Sequence, residues 1–183
     1  MKQWKVLSQE IVVKTVPFKV ERIDVESQSN KQKASFHRLL SPDWVNILPF
    51  TSDKKILLIE QSRIGLLQNT LETPGGVIDP GELRDPTLAA ARELEEETGF
   101  CSQRFLPLAS IAANPATHSN HVHFFLALNC IPTTNRKHFP DEHEEISVHA
   151  FELDEIEEMV RLGRVQSSYS ALAIMLGLKY LKS

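Results

Sequence analysis

The residues best suited to chemistry are three glutamates near the end of one predicted helix. At about 100° per residue, the side chains of Glu93, Glu96 and Glu97 share one helix face, and Glu95 points the other way. Like charges three or four positions apart repel by roughly 0.2–0.5 kcal/mol per pair, so a bound cation would relieve this face. Ligands that are all oxygen suit Mg²⁺ or Mn²⁺. The alternative is a solvated acidic face.

The sequence predicts where this helix begins and ends. Asp85 is a typical capping residue, Pro86 suits the first helical position, and Gly99 suits the left-handed residue after a helix. The helix follows a Gly-rich turn at 74–76 and an acidic bend in which Glu82 offers a fourth carboxylate. We therefore predict a cation-binding loop and helix.

This stretch resembles the signature of the Nudix hydrolases. Nine residues separate Glu82 from Arg92 where the family has seven, and we place the two extra residues in the loop at Leu83 and Arg84. The matching positions are Gly76, Glu82, Arg92, Glu93, Leu94, Glu96, Glu97 and Gly99, with Phe100 in the last apolar place.

The resemblance implies an α/β protein, a Nudix-type α/β/α sandwich around a mixed β-sheet, with a small N-terminal β extension. It also implies Mg²⁺ or Mn²⁺ as the cofactor. Glu93, Glu97 and the carbonyl of Gly75 are the expected metal ligands. Arg92 is expected to orient the carboxylates. Glu96 is counted with the catalytic residues, and Glu96 and Glu82 are the alternatives to the base named below.

Beyond the signature, the chain is similar to the ADP-ribose pyrophosphatase branch of the family. The lead-in at 72–76 fits that branch, and Pro115 lies sixteen positions after Gly99, where the branch has a proline. The segment 142–148 matches an acidic loop of the branch. The resemblance makes Glu142 the general base, Glu144 an aid to the metals, and Pro115 a substrate contact. A solvated acidic loop is the alternative for this segment.

Arg63 ends a predicted strand, where its guanidinium could hold a phosphate with two hydrogen bonds. The alternative is an exposed surface arginine. His121 and His123 alternate onto one strand face, but no third metal ligand is evident, and ordinary sheet surface is the favoured interpretation.

Alternating and apolar runs predict the remaining elements. Apolar residues of the last helix fall at Leu172, Met175, Leu176 and Leu181. The predicted strands are 4–13, 17–25, 35–40, 44–50, 55–60, 105–113, 121–128 and 146–153, and the other helices are 153–162 and 168–181.

We expect two parts, an N-terminal β extension over 1–45 and a Nudix hydrolase domain over 46–183. The extension is too small to fold alone, and the resemblance implies a homodimer formed through it. In the branch, adenine stacks between aromatic side chains near the subunit boundary. Phe18, Phe36 and Trp44 are the candidates here, with core packing as the alternative for each.

Composition narrows the class of protein. The 183 residues carry a formal net charge of −4, which gives no electrostatic case for nucleic acid or an anionic membrane as a partner. Cys101 and Cys130 have no CxxC spacing and are expected to be reduced thiols of a cytoplasmic protein. The N-terminus lacks the apolar core of a signal peptide, and no apolar run approaches the roughly 20 residues of a membrane helix.

The expected activity is a Mg²⁺-dependent pyrophosphatase acting on a nucleoside diphosphate linked to another group. ADP-ribose, cleaved to AMP and ribose 5-phosphate, is the leading substrate. Other nucleoside diphosphate sugars, of the ADP-glucose or GDP-mannose type, are the main alternative, and dinucleoside polyphosphates, coenzyme A and oxidised nucleotides follow. A non-catalytic nucleotide-sugar sensor is a rival of another class, disfavoured because Glu93, Glu96 and Glu97 are all present.

Overall fold

The computed structural model describes residues 4–140 and 145–182. The strands are β1 Trp4–Lys14, β2 Lys19–Ser27, β3 Lys33–Leu40, β4 Trp44–Thr51, β5 Lys55–Arg63, β6 Gln68–Glu72, β7 Phe100–Cys101, β8 Arg104–Ala112, β9 His121–Pro132 and β10 Ile146–Glu152. The helices are α1 Pro86–Thr98, α2 Leu153–Arg161 and α3 Ser168–Leu181. The predicted elements are therefore present, with ends that differ by a few residues.

The larger of two compact units comprises residues 44–110 and 122–183, and it is built on a mixed sheet. The strand order of the sheet is β10-β5-β4-β9-β7. In addition, β6 pairs with β5, and β8 pairs with β9. β4 and β9 run parallel, whereas β5 is antiparallel to β4, β6 and β10. Residues 56–59 are at most 2% exposed, which confirms a strand covered on both faces.

Alternate residues of the central strands enter two separate cores. Ile47 and Ala127 pack with Leu94 of α1, whereas Leu48 and Leu126 pack in a second core that contains residues of α2 and α3. Side chains of one strand alternate between the faces of a sheet, so the helices cover opposite faces. The predicted α/β/α sandwich is confirmed.

The buried face of α3 differs from the apolar positions noted in the sequence. Met175 is 49% exposed, whereas the buried residues are Ser170, Ala173, Ile174, Gly177 and Leu178. A Cβ added at Gly177 would lie 2.2 Å from Leu48 Cδ2. Small residues thus let α3 approach β4 closely, and they set the buried face.

The smaller unit comprises residues 1–43 and 111–121, of which 4–43 and 111–121 are described. Its sheet is antiparallel in the order β1-β2-β3, and the Val16–Pro17 bond between β1 and β2 is cis. Phe36 is 53% exposed and Phe18 is 36% exposed, so the core packing considered for these two rings is wrong within this chain.

Two strands were not predicted from the sequence. β6 reads QNTLE, which is mostly polar, and it is a strand because it pairs with β5 in a hairpin. β7 has only two residues and exists through its pairing with the end of β9. Within the described residues, we find no helix with the length and apolarity needed to cross a bilayer.

The packing of α1 generates a stability prediction. Leu94 is 0% exposed between the helix and the sheet, so Leu94→Ala should lower the free energy of unfolding by about 2–5 kcal/mol. Leu88 lies on the same helix and is 54% exposed, so Leu88→Ala is the matched control and should change it by less than about 1 kcal/mol. Urea unfolding followed by circular dichroism measures both. Equal effects would contradict the described face of α1.

Candidate metal and catalytic site

The helix α1 has the predicted ends. Asp85 caps it, accepting a hydrogen bond from the Thr87 amide at 3.0 Å, and Pro86 is the first helical residue. Gly99 follows in the left-handed region, with φ of 71°. Residues 80–84 form turns before the cap, so Leu83 and Arg84, where we place the two extra residues, lie in the loop before α1.

The side chain of Arg92 links the acidic residues of the loop and the helix. Its Nε and Nη2 donate to Glu82 at 3.0 and 3.1 Å, and its Nη1 donates to Glu93 at 2.8 Å and to Glu96 at 3.0 Å. Nη2 also donates to the Val77 carbonyl at 2.9 Å. One positive charge contacts three carboxylates, so this group by itself retains an excess of negative charge.

The electrostatics follow from these contacts. Hydrogen bonding to Arg92 is the main reason why the pKa of Glu82 is lowered, against the opposing effect of burial. The same contacts, led by that with Glu82, raise the pKa of Arg92 further. Glu82 therefore stays ionised and bound to Arg92 despite the longer loop.

The Gly-rich turn lies against the acidic face of α1. The Gly75 amide donates to Glu97 Oε2 at 2.7 Å, and a Cβ at Gly76 would lie 2.3 Å from Glu93 Oε1. A Cβ at Gly75 would lie 2.3 Å from the Val45 carbonyl oxygen. No side chain fits at either position without displacing the strand or the carboxylate, which explains the two glycines.

The same turn pairs with β4, and the pairing orients Gly75. The amides of Val45 and Ile47 donate to the carbonyls of Gly76 and Pro74, both at 2.8 Å. Carbonyls of successive residues in an extended segment point to opposite sides. The Gly75 carbonyl therefore points away from β4, to the side on which the Gly75 amide reaches Glu97.

The donors of this site suit a hard divalent cation. Glu93 and Glu97 are 8% and 7% exposed, and carboxylates with a backbone carbonyl are typical ligands of Mg²⁺ and Mn²⁺. Within residues 4–140 and 145–182, no three acidic, histidine or cysteine side chains already form a metal cluster. Protein donors hold these oxygens instead, Arg92 at Glu93 and the Gly75 amide at Glu97. The predicted further ligand, Glu144, lies outside the described residues.

A cavity of about 420 Å³ lies within the larger unit, and Gly75 and Gly76 of the Gly-rich turn are among the residues that line it. Trp44 and Tyr169 form one wall, with ring centroids 5.7 Å apart at 66°. Buried polar residues line it as well, among them Asn46, Thr70, Glu72 and Thr73. Trp44, an adenine-stacking candidate in the sequence, therefore lines a cavity that the Gly-rich turn also lines.

Arg63 lines this cavity, but its guanidinium binds a carboxylate in the structure. Its Nε and Nη2 each donate to Glu72 at 2.9 Å, and Thr70 donates to the same carboxylate. The sequence pattern did not reveal this pair. Gly65 lies in the loop between β5 and β6, and a glycine in such a loop is a sequence signal for a hairpin. Recognising this hairpin could have predicted that Arg63 and Glu72 lie close together.

The other predicted site residues lie outside the described part of the larger unit. Pro115 is an exposed loop residue of the smaller unit. Glu142 and Glu144 lie outside the described residues. Tyr169 and Arg136 were not predicted: no motif marks Tyr169, and Arg136 donates to the Glu96 carbonyl from a loop far along the chain.

Comparison with known proteins identifies the family to which the chain belongs. The NUDIX domain model matches residues 41–171. The chain is 29% identical over 162 residues to the ADP-ribose pyrophosphatase of Bacillus subtilis (strain 168) and to the methanol dehydrogenase activator of Bacillus methanolicus, in each case over 88% of this chain and 84% of the relative. It is 30% identical over 129 residues to the ADP compounds hydrolase NudE of Escherichia coli (strain K12), over 69% of this chain and 67% of the relative.

A solved structure described as "Crystal structure of ADP compounds hydrolase" superposes with a TM-score of 0.86 at 26% identity, covering 100% of this chain and 96% of that one. The chain therefore belongs to the NUDIX family, and its interpretation as a Nudix hydrolase is confirmed. Nudix hydrolases generally use divalent metal ions, which the oxygen donors of the site suit.

The acidic face can be tested by a charge-removing substitution. Glu97→Gln keeps the volume of the side chain and should lower kcat about a hundredfold or more, in the range that loss of a charge-stabilising group costs. The fold should persist, since one of several repelling carboxylates is removed. Turnover within a few-fold of the wild type would contradict the assignment of Glu97 to the metal site.

The structure changes the choice of control for this experiment. Glu95 points away from the acidic face as predicted, but it accepts hydrogen bonds from Thr133 and the Lys137 amide. Glu157 of α2 is exposed and forms an ion pair with the exposed Lys182, so it gives a cleaner comparison. Glu157→Gln should leave kcat unchanged.

Proposed function

We propose that the protein is a Mg²⁺-dependent pyrophosphatase, with Mn²⁺ as the alternative ion, that hydrolyses an ADP-linked compound. ADP-ribose is the leading substrate, and AMP and ribose 5-phosphate are the products. The relatives named ADP-ribose pyrophosphatase and ADP compounds hydrolase support this substrate class. Other nucleoside diphosphate sugars remain the second candidate.

One arrangement carries the proposal. The Gly75–Gly76 turn contacts the acidic face of α1 through Glu97 and also lines the cavity that contains Trp44 and Tyr169. A substrate that joins a nucleoside to a second sugar through a pyrophosphate offers a flat base to the cavity and a charged centre to the acidic face. The cavity volume of about 420 Å³ is within the usual range for small-molecule sites.

The proposed roles follow from position and charge. Glu93, Glu97 and the Gly75 carbonyl would hold the divalent ion, with Glu144 as a further ligand, and the ion would supply positive charge for the pyrophosphate oxygens. Arg92 fixes the carboxylates through its contacts with Glu82, Glu93 and Glu96. A side chain without metal ligation accepts a proton from the attacking water, whose oxygen forms a bond to phosphorus as the bridging P–O bond breaks. We assign the role of this base to Glu142, with Glu96 or Glu82 as the alternative.

The polar residues of the cavity suit recognition of the rest of the substrate. Arg63 is 44% exposed at its side chain, so it can face a ligand while Glu72 holds its guanidinium in place. In this proposal Arg63 donates to a phosphate or sugar oxygen, and Trp44 stacks with the base. We retain Pro115 as a proposed substrate contact on the family pattern alone.

The substrate is tested with purified protein and Mg²⁺ on ADP-ribose, ADP-glucose, GDP-mannose, UDP-glucose and diadenosine polyphosphates, with chromatography of the products. We expect the highest kcat/KM with ADP-ribose and equal amounts of AMP and ribose 5-phosphate. A preference for a substrate without adenine would contradict the proposed specificity. No turnover of any of these compounds would contradict the enzyme class.

The proposed base has its own test. Glu142→Gln should lower kcat strongly and leave the Mg²⁺ and substrate affinities within a few-fold, as expected for a group that acts in the transition state. Glu144→Gln should instead raise the Mg²⁺ requirement, and Glu145→Gln should have little effect. If Glu142→Gln and Glu145→Gln behave alike, Glu142 is not the base, and Glu96 and Glu82 are the next residues to substitute.

We also propose that the protein is a homodimer that associates through the smaller unit. Supporting this are large apolar side chains exposed on the smaller unit, among them Trp4, Val6, Val13 and Phe36 at 46–53%. Monomeric soluble proteins rarely expose large apolar patches, and a second copy of the same sheet is the proposed cover. The free thiols of Cys101 and Cys130 support a reducing compartment, so we place the protein in the cytoplasm.

The dimer is tested by charge at the apolar surface. Phe36→Glu should convert the dimer to a monomer in light scattering coupled to size exclusion, because a carboxylate would be buried without a partner. His37 is the next, exposed residue of the same strand, and His37→Glu should leave the mass unchanged. A wild-type monomer, or a Phe36→Glu dimer, would contradict the proposed surface.

A further inference from the structure

The acidic face depends on the part of α1 that is hardest to keep in place. Glu96 and Glu97 lie in the last turn, next to Thr98 at the end of the helix. The last carbonyls of a helix have no partner within it, and the last turn frays unless something else holds them. α1 has no basic residue of its own in this turn to interact with its negative end.

Arg136 supplies the missing donor from the loop after β9. Its Nη2 donates to the Glu96 carbonyl at 2.5 Å, and its Nε donates to the His138 carbonyl at 2.9 Å. Its guanidinium also lies 4.9 Å from the centre of the Phe139 ring. The arginine is thus fixed by its own loop while it holds the end of the helix. Glu96 is held twice, at its carbonyl by Arg136 and at its carboxylate by Arg92.

The same loop is fastened to the opposite face of the helix by Glu95. This carboxylate accepts from Thr133 Oγ1 and from the Lys137 amide, both at 3.2 Å, and its side chain is 13% exposed. The Thr133 amide also donates to the Gly99 carbonyl at 2.9 Å. We call Glu95, Thr133 and Arg136 the α1 clasp.

We propose that Arg136 is a positioning residue for the metal site, acting through the last turn of α1. This inference rests on the proposed placement of the divalent cation at Glu93 and Glu97. If the Glu96 carbonyl loses its donor, the last turn loosens, and Glu97 no longer keeps a fixed position against Gly75. Loss of a group that orients a metal ligand typically weakens metal binding about 10–100-fold.

A simple electrostatic effect makes a different prediction. If charge alone mattered, removing any positively charged side chain near the acidic helix would alter metal binding. Lys137 adjoins Arg136 in the same loop. Its backbone amide, not its ammonium group, donates to Glu95 of the α1 clasp. Lys137→Gln therefore removes the same charge from the same loop without removing the donor to Glu96.

The test is a titration of the substrate-free protein with Mn²⁺, followed by the paramagnetic resonance signal of the free aqueous ion. Arg136→Gln should weaken Mn²⁺ binding about tenfold, and Lys137→Gln should leave it within about twofold. Arg136→Lys keeps the charge but loses the planar fork that reaches two carbonyls, so it should also bind Mn²⁺ more weakly than the wild type. At saturating Mn²⁺, the KM for ADP-ribose should change by less than about twofold in all three.

The outcomes separate the alternatives. Wild-type Mn²⁺ affinity in Arg136→Gln, or equal weakening in Arg136→Gln and Lys137→Gln, would overturn the role of Arg136. If Arg136→Gln does not fold, as judged by circular dichroism, Arg136→Lys decides, and wild-type affinity in that variant overturns the proposal. Since Mn²⁺ binding is measured without substrate, failure of the protein to hydrolyse ADP compounds would leave this result interpretable.

Discussion

The contact of a single arginine with three carboxylates is the constraint on which the site depends. Arg92 holds Glu82 of the loop and Glu93 and Glu96 of the helix in one group. Without it, like charges would be brought together at the edge of the core, where repulsion is less screened than in water. Its single charge cannot neutralise three acids. The arrangement is therefore suited both to keep the carboxylates in place and to attract a further cation.

The fold supports this group from two directions. α1 is fixed by Leu94, which is buried against the sheet, and the Gly-rich turn is fixed by backbone hydrogen bonds to β4. The acidic residues are thus placed between two elements that share one strand as their support. Sites built on packed helices and strands hold their geometry better than sites built on free loops. This explains why two extra residues in the preceding loop leave Glu82 bound to Arg92.

Much of the fold and the central helix could be predicted from the sequence, because their signals are local. The cap at Asp85, the end at Gly99 and the apolar run at 56–59 each depend on neighbouring residues only. The contact of Arg63 with Glu72 could not be predicted in the same way, because it depends on the pairing of β5 with a polar strand. Nor could the aromatic pair, since Trp44 and Tyr169 are joined only by packing of α3 on the sheet.

The buried face of α3 shows the same limit within a helix. Large apolar residues are the usual sign of a buried face, yet Met175 is exposed and Gly177 is buried. The close approach of Gly177 to Leu48 decides the packing. The distance between two elements depends on both of them, so the sequence of either segment alone does not predict it. Tertiary packing therefore overrides hydrophobicity at these positions.

The central claim is that the acidic face of α1 and the Gly-rich turn bind a divalent cation together. Anomalous diffraction from crystals soaked in Mn²⁺ locates the ion directly. The account predicts a peak within coordination distance, about 2.0–2.4 Å, of carboxylate oxygens of Glu93 or Glu97 and of the Gly75 carbonyl. A Mn²⁺ peak only elsewhere on the protein, or none at a concentration that supports turnover, would contradict it.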